Sequence, residues 1–124
     1  MQNYNSKGKI DVKVRCYQFS LKLIELLETL PNQRTCWIIA DQLLRSGTSV
    51  GANLVEARAS SSRLEYKKFC EIALKSANET KYWLGLLRDA KKAEIEKVNE
   101  LLEEITEISN ILAAGILTLK QRKF

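Results

Sequence analysis

The stretch that decides the fold reads Ser49-Val50-Gly51-Ala52-Asn53-Leu54-Val55-Glu56-Ala57 and, after a serine-rich turn, Phe69-Cys70-Glu71-Ile72-Ala73-Leu74-Lys75-Ser76-Ala77-Asn78-Glu79-Thr80-Lys81-Tyr82-Trp83-Leu84. Apolar residues recur in it at spacings of three and four, the period of amphipathic helices. The first part extends backward, aligning Ala40, Leu43, Leu44, Gly47, Val50, Gly51 and Leu54 on one face, from an N-cap at Thr35 to a fade at Ala59. Gly47 and Gly51 lie one turn apart on that face. Each weakens the helix by about 1 kcal/mol relative to Ala, so a close neighbouring helix is expected there, with a kink as the competing explanation.

Ser60-Ser61-Ser62 supplies a turn and a cap for a third helix over 62–92, with Glu65 in its first turn. Its inner face is Tyr66, Phe69, Cys70, Ala73, Ala77, Thr80, Leu84 and Leu87. Upstream, Cys16, Phe19, Leu23, Leu26, Leu27 and Leu30 mark a first helix over 11–30, closed by Pro31-Asn32. Downstream, Ile95, Val98, Leu101, Leu102, Ile105, Ile108, Leu112, Ile116 and Leu119 mark a fourth, from Ala93 or Glu94 to Lys120. Four such helices with short connections predict an all-α, antiparallel up-down four-helix bundle.

Composition agrees with that reading. Five Gly and one Pro in 124 residues leave too few turn signals for a sandwich or barrel. The length suits one domain, read as a tail over 1–10 and a bundle over 11–124. No apolar run approaches the ~20 residues of a membrane span, and the N-terminus lacks the apolar core of a signal peptide, so a cytoplasmic protein is expected. Cys16, Cys36 and Cys70 are odd in number and lack metal-ligand spacing, which favours buried thiols over disulfides or a zinc site.

The chain contains no histidine, which removes the commonest general base and metal ligand together. Glu100, Glu103, Glu104 and Glu107 are expected on the solvated face of the fourth helix, and no phosphate-cradling glycine motif occurs. No catalytic residue, cofactor, metal or small-molecule substrate is expected, and an enzyme is disfavoured. Charge points elsewhere. The net charge is +5, and residues 1–92 hold 16 Lys or Arg against 9 Asp or Glu, whereas residues 93–124 hold 4 against 6. The candidate nucleic-acid contacts are Arg45, Arg58, Arg63, Lys67, Lys68 and Lys75, with Lys81 beside them; Arg58 and Arg63 flank the serine turn, where a helix N-terminus also favours phosphate. The alternative is a solvated face whose charges pair with Glu65, Glu71 and Glu79.

Two further groups stand out. Ser49, Asn53 and Glu56 lie at i, i+4 and i+7 on the flank of the second helix, with Arg45 and Gln42 nearby; a structural hydrogen-bond network, with Glu56 paired to Arg45 or a lysine, is preferred over a ligand site. Tyr17, Leu21 and Ile24 form a second apolar stripe opposite the core face of the first helix, leaving a polar arc of Arg15, Gln18, Lys22, Glu25 and Thr29. Ile72, Trp83 and Leu86 add another beside the core face of the third. Together they predict an oligomer interface, against the alternative of broad but fully covered core faces.

The string Ser49-Val50-x-x-Asn53-Leu54-x-Glu56, followed by Ile72-Ala73-Leu74-Lys75-x-Ala77-Asn78-Glu79-Thr80-x-Tyr82-Trp83-Leu84, resembles the four-helix bundle proteins encoded in bacterial 23S ribosomal RNA intervening sequences. The likeness runs from about Val14 to the Thr118-Leu119-Lys120 ending. It implies a four-helix protomer assembling as a homopentamer with a role around nucleic acid. A related group, the accessory proteins of diversity-generating retroelements, is basic, pentameric and partners a reverse transcriptase. The family often has proline at the position of Gly51 and glycine at that of Ala57, which leaves the course of the second helix open. Resemblance of this kind bears on fold more than on activity. Two functions follow as expectations: a ring-forming binder of RNA or DNA, or an oligomeric scaffold or accessory subunit with a protein partner.

Overall fold

The computed structural model describes residues 11–121; the N-terminal tail expected over 1–10 lies outside the described residues. Four helices follow in order: α1 Val12–Leu27, α2 Arg34–Arg58, α3 Arg63–Asp89 and α4 Ile95–Gln121. Each helix packs on its two neighbours around a square, α1 on α2, α2 on α3, α3 on α4 and α4 back on α1, with no diagonal packing. The directions alternate. Cys16 meets Gly51 while Leu23 meets Gly47, and Arg15 reaches Glu104 while Lys22 reaches Glu100. The bundle is antiparallel and up-down, as the periodicity predicts.

The core is a single apolar column in which Phe19, Leu23, Leu43, Leu84, Leu87, Ile105 and Ile108 are shut off from solvent. Gly47 and Gly51 owe their place to close approach. A methyl group on Gly47 would come to 2.3 Å from Leu23 Cδ2, and one on Gly51 to 3.1 Å from Cys16 Cβ. Helix α2 runs through both without interruption to Arg58, so the glycines admit α1 rather than kink their own helix. Cys16, Cys36 and Cys70 are all buried and unlinked.

Several expectations need correction. Helix α1 ends at Leu27, not Leu30, because Thr29 and Leu30 donate backbone bonds three residues back, to Leu26 and Leu27, and the Thr29 hydroxyl also takes the Leu26 carbonyl at 2.6 Å. Helix α2 starts one residue before Thr35, with Gln33 as a cap that makes no side-chain bond. Helix α3 stops at Asp89 because Lys91 turns left-handed at φ 58°, with Lys92 N–H donating to the Leu87 carbonyl and Lys91 N–H to that of Arg88, a Schellman closure. Leu44, Tyr66 and Ile95, expected in the core, are exposed.

Glu100, Glu103 and Glu107 are exposed as expected, whereas Glu104 is half-buried, and three of the four carboxylates are engaged by α1. Arg15 grips Glu104 through Nε at 2.9 Å and Nη2 at 2.6 Å, and reaches Glu107 at 3.3 Å, while Lys22 reaches Glu100 at 3.2 Å. The polar arc of α1 is therefore the strip that joins α1 to α4. Proximity to Glu104 raises the Arg15 pKa against the cost of burial, and the paired hydrogen bonds fix register as well as attraction.

Candidate nucleic-acid interface

The tight turn Ala59–Ser62 brings the end of α2 against the start of α3, and with them Arg58 and Arg63. Ser62 caps α3 by accepting the Glu65 N–H at 3.1 Å, and Glu65 in return accepts the Ser61 N–H at 3.0 Å. This internal carboxylate already occupies part of the donor-rich helix start that the sequence offers to phosphate. Cationic side chains are therefore the better-placed contacts, with the helix N-terminus a lesser contributor.

The predicted basic residues divide into two sets. Arg45 is engaged by Glu79 and by Gln42, the latter at 2.9 Å, and Lys67 lies 3.7 Å from Glu71. Lys81 points to Asn78 at 3.2 Å. Arg58, Arg63, Lys68 and Lys75 are exposed and, among the described residues, make no ion pair. Lys68 and Lys75 are seven residues apart, so they share the outer face of α3 at a separation of about 10 Å along the axis. The expected pairing of this surface with Glu65, Glu71 and Glu79 holds for Arg45 and Lys67 and not for these four.

The Ser49 stripe resolves into a seam between α2 and α3. Asn53 Nδ2 donates to the Ser49 carbonyl at 2.8 Å and to its hydroxyl at 2.9 Å, and Ser76 donates to the same hydroxyl at 3.0 Å. One turn away, the fully buried Thr80 and Ser46 hydroxyls sit 3.0 Å apart. No buried side-chain nitrogen or oxygen among the described residues lacks a partner. Glu56 stands outside the seam, exposed, and Arg45 pairs with Glu79 instead. Ser46 and Ser76 were missed by the sequence reading because serine carries no signal in an apolar pattern; the i, i+3 spacing of Ser46 from Ser49 and the i, i+4 spacing of Ser76 from Thr80 were the available clue.

Glu79 organises the outer edge of this seam. Its carboxylate accepts from Trp83 Nε1 at 2.9 Å and from Arg45, which together hold its pKa below the ordinary carboxylate range. Trp83 is thereby partly committed within the protomer, with Tyr82 edge-on to it at 5.2 Å. The predicted interface residues fall on two faces. Tyr17, Leu21 and Ile24 are exposed on α1, where exposed Leu44 and Val55 lie on the same side of α2 as Gly51, and Ile72 and Leu86 are exposed on α3.

Among the described residues, no group of three or more His, Cys, Asp or Glu side chains is placed to hold a metal ion, and no helix is long and apolar enough to cross a membrane. What the bundle offers is a charged helical surface around one turn. These features define an all-α four-helix protein whose candidate site is a surface rather than a cleft. The chain belongs to the 23S rRNA-intervening sequence protein family, whose model matches residues 8–114. It is also similar to a solved protein of unknown function from the S23 ribosomal protein family of Bacteroides thetaiotaomicron VPI-5482, with 37% identity, a TM-score of 0.80, and coverage of 86% of this chain and 98% of that one. No curated protein matches the chain.

Proposed function

We propose that this protein is a non-enzymatic, cytoplasmic RNA-binding protein that acts as a homo-oligomer, with five subunits as the family resemblance implies. Arg58, Arg63, Lys68 and Lys75 hold RNA by its phosphates, with Arg45 and Lys67 at the margin. The observation that carries this reading is the set of four exposed cations that have no carboxylate partner among the described residues, gathered at one turn and along one helix face. Cations with no internal partner keep their full attraction for a polyanion, whereas paired ones have spent part of it. The family description, which ties these proteins to 23S rRNA, selects RNA as the first polyanion to test. Repetition around an oligomer multiplies a weak patch into a useful affinity without new contacts.

The test is a fluorescence titration against a structured ribosomal RNA fragment, at low and near-physiological salt, with duplex DNA as control. The comparison protein carries Arg58→Glu, Arg63→Glu, Lys67→Glu and Lys68→Glu. Binding that survives physiological salt and prefers RNA is expected, and the substituted protein should lose about 3 from the slope of log affinity against log salt. Binding seen only at low salt on any polyanion overturns the reading.

A second reading, an assembly scaffold or accessory subunit with a protein partner, is favoured by the exposed Tyr17, Leu21 and Ile24 beside Leu44 and Val55. In that case the charge reversals leave RNA untouched and abolish capture of the partner.

A further inference from the structure

We infer that the exposed Tyr82 ring is a stacking platform for an unpaired base, so that the RNA taken by this surface is single-stranded beside the lysines of α3. The inference rests on the RNA reading above and adds what kind of RNA is held, and by what.

The placement comes from the helix itself. Lys68, Lys75 and Tyr82 follow one another at intervals of seven residues, so each lies about 20° round α3 from the next and about 10 Å further along it. All three are exposed, Tyr82 by 62%. Glu71 and Glu79, the carboxylates nearest this line, are drawn off to its two sides. Lys67 and Lys120 hold Glu71 at 3.7 and 4.0 Å on the side of α4, and Arg45 and Trp83 hold Glu79 on the side of α2. What remains along the line is two cations without an ion pair among the described residues, followed by an aromatic ring.

That ring is held in place. Trp83 meets it edge to face, with centroids 5.2 Å apart and planes at 76°. Trp83 is itself tied through Nε1 to Glu79 at 2.9 Å, and Arg45 engages Glu79 in turn. Arg45, Glu79 and Trp83 therefore orient Tyr82 before any ligand arrives, which lowers the entropy lost when a base settles on it. An edge-to-face contact uses at most one face of the Tyr82 ring and leaves the other open. One turn earlier, Lys81 donates to Asn78 Oδ1 at 3.2 Å, so the Asn78 amide donors are left, among the described residues, for an acceptor on the edge of a base.

The combination selects the ligand. Cations alone accept any polyanion, because duplex and single strand both display phosphates. An aromatic face can be used only by a base whose own face is uncovered, and within a duplex each base is stacked on both sides. A strand laid along α3 with its phosphates on Lys68 and Lys75 thus brings to Tyr82 a nucleotide from a loop, a bulge or an end.

The test is fluorescence anisotropy with two labelled RNAs, an oligouridylate of about 12 nucleotides and a long uninterrupted duplex. Tyr82→Ala should weaken binding of the oligouridylate by about 5-fold to 100-fold, the loss of one stacked base, and leave the duplex unchanged. Tyr82→Phe keeps the ring and should bind both as the wild type does. Neither variant should alter the slope of log affinity against log salt, whereas Lys75→Gln should lower it by about 1 for both RNAs. Unchanged oligouridylate binding by Tyr82→Ala, an equal loss on the duplex, or a loss in Tyr82→Phe as large as in Tyr82→Ala overturns the proposal. A fall in the sedimenting mass of Tyr82→Ala overturns it too, since the ring would then be a subunit contact. A wild type that binds neither RNA, or a salt slope that Lys75→Gln leaves unmoved, overturns instead the RNA reading on which this one rests, so the two failures are told apart.

Discussion

Replacing Gly47 with Ala tests whether α1 sits against α2 as closely as the structure indicates. On propensity alone the substitution should stabilise α2 by about 1 kcal/mol, since Gly is that much worse than Ala in a helix interior. Packing opposes it. The added methyl would lie 2.3 Å from Leu23 Cδ2 and 3.6 Å from Phe19 Cε2. Leu23 has no exposed surface and Phe19 almost none, so neither can swing into solvent. Overpacking in such a place costs roughly 1–3 kcal/mol, and the net expectation is a loss of about 0–2 kcal/mol. Gly85 is the internal control, because a methyl there meets nothing within 4 Å. Gly85→Ala should therefore return the propensity gain unopposed, about 1 kcal/mol. Urea denaturation followed by far-UV circular dichroism, at a protein concentration low enough to hold the assembly state constant, measures both. The prediction is a gap of about 1–3 kcal/mol between the variants, with Gly47→Ala the less stable. Equal stabilities, or Gly47→Ala the more stable, would mean that α1 is not pressed on α2 at this point.

Three other outcomes follow from the geometry. Lys91 holds a left-handed conformation at φ 58°, so Lys91→Gly should raise stability by about 1 kcal/mol in the same assay, and a loss would argue against the Schellman closure of α3. Thr80→Val strips a buried hydroxyl from Ser46 and should cost about 1 kcal/mol, whereas Ser46→Ala with Thr80→Val should recover part of it; additivity in that double-mutant cycle would show the two do not interact. Burial first, and Glu104 next, push the Cys16 thiol up to about 12, so the folded state favours the neutral thiol. Its contribution to stability is complete below the ordinary thiol range and is lost as pH rises through about 12. Mass spectrometry after alkylation at mildly alkaline pH should accordingly find Cys16 unmodified in the native protein and modified once it is denatured.

The four helices were legible because each carries a face of period 3.6, and a period survives small errors in any single residue. The boundaries were less so. Thr29 and Lys91 end α1 and α3 earlier than periodicity suggests, since local hydrogen bonds and one left-handed residue close a helix without altering its apolar pattern. The basic candidates could be named from charge, but only packing separates Arg45 and Lys67, which have carboxylate partners, from Arg58, Arg63, Lys68 and Lys75.

By itself the sequence determined the all-α class, the number and order of helices, the serine cap of α3 and the absence of histidine chemistry, because these depend on residue type and short-range spacing. The tertiary structure alone decided that the polar arc of α1 clasps Glu104, that Ser46 and Thr80 form a buried seam, and that the neighbour expected over Gly47 and Gly51 is α1, through Leu23 and Cys16. Those facts join residues dozens of positions apart. Helical periodicity records which side of a helix is apolar and carries no record of what stands opposite; that is fixed only when the helices pack.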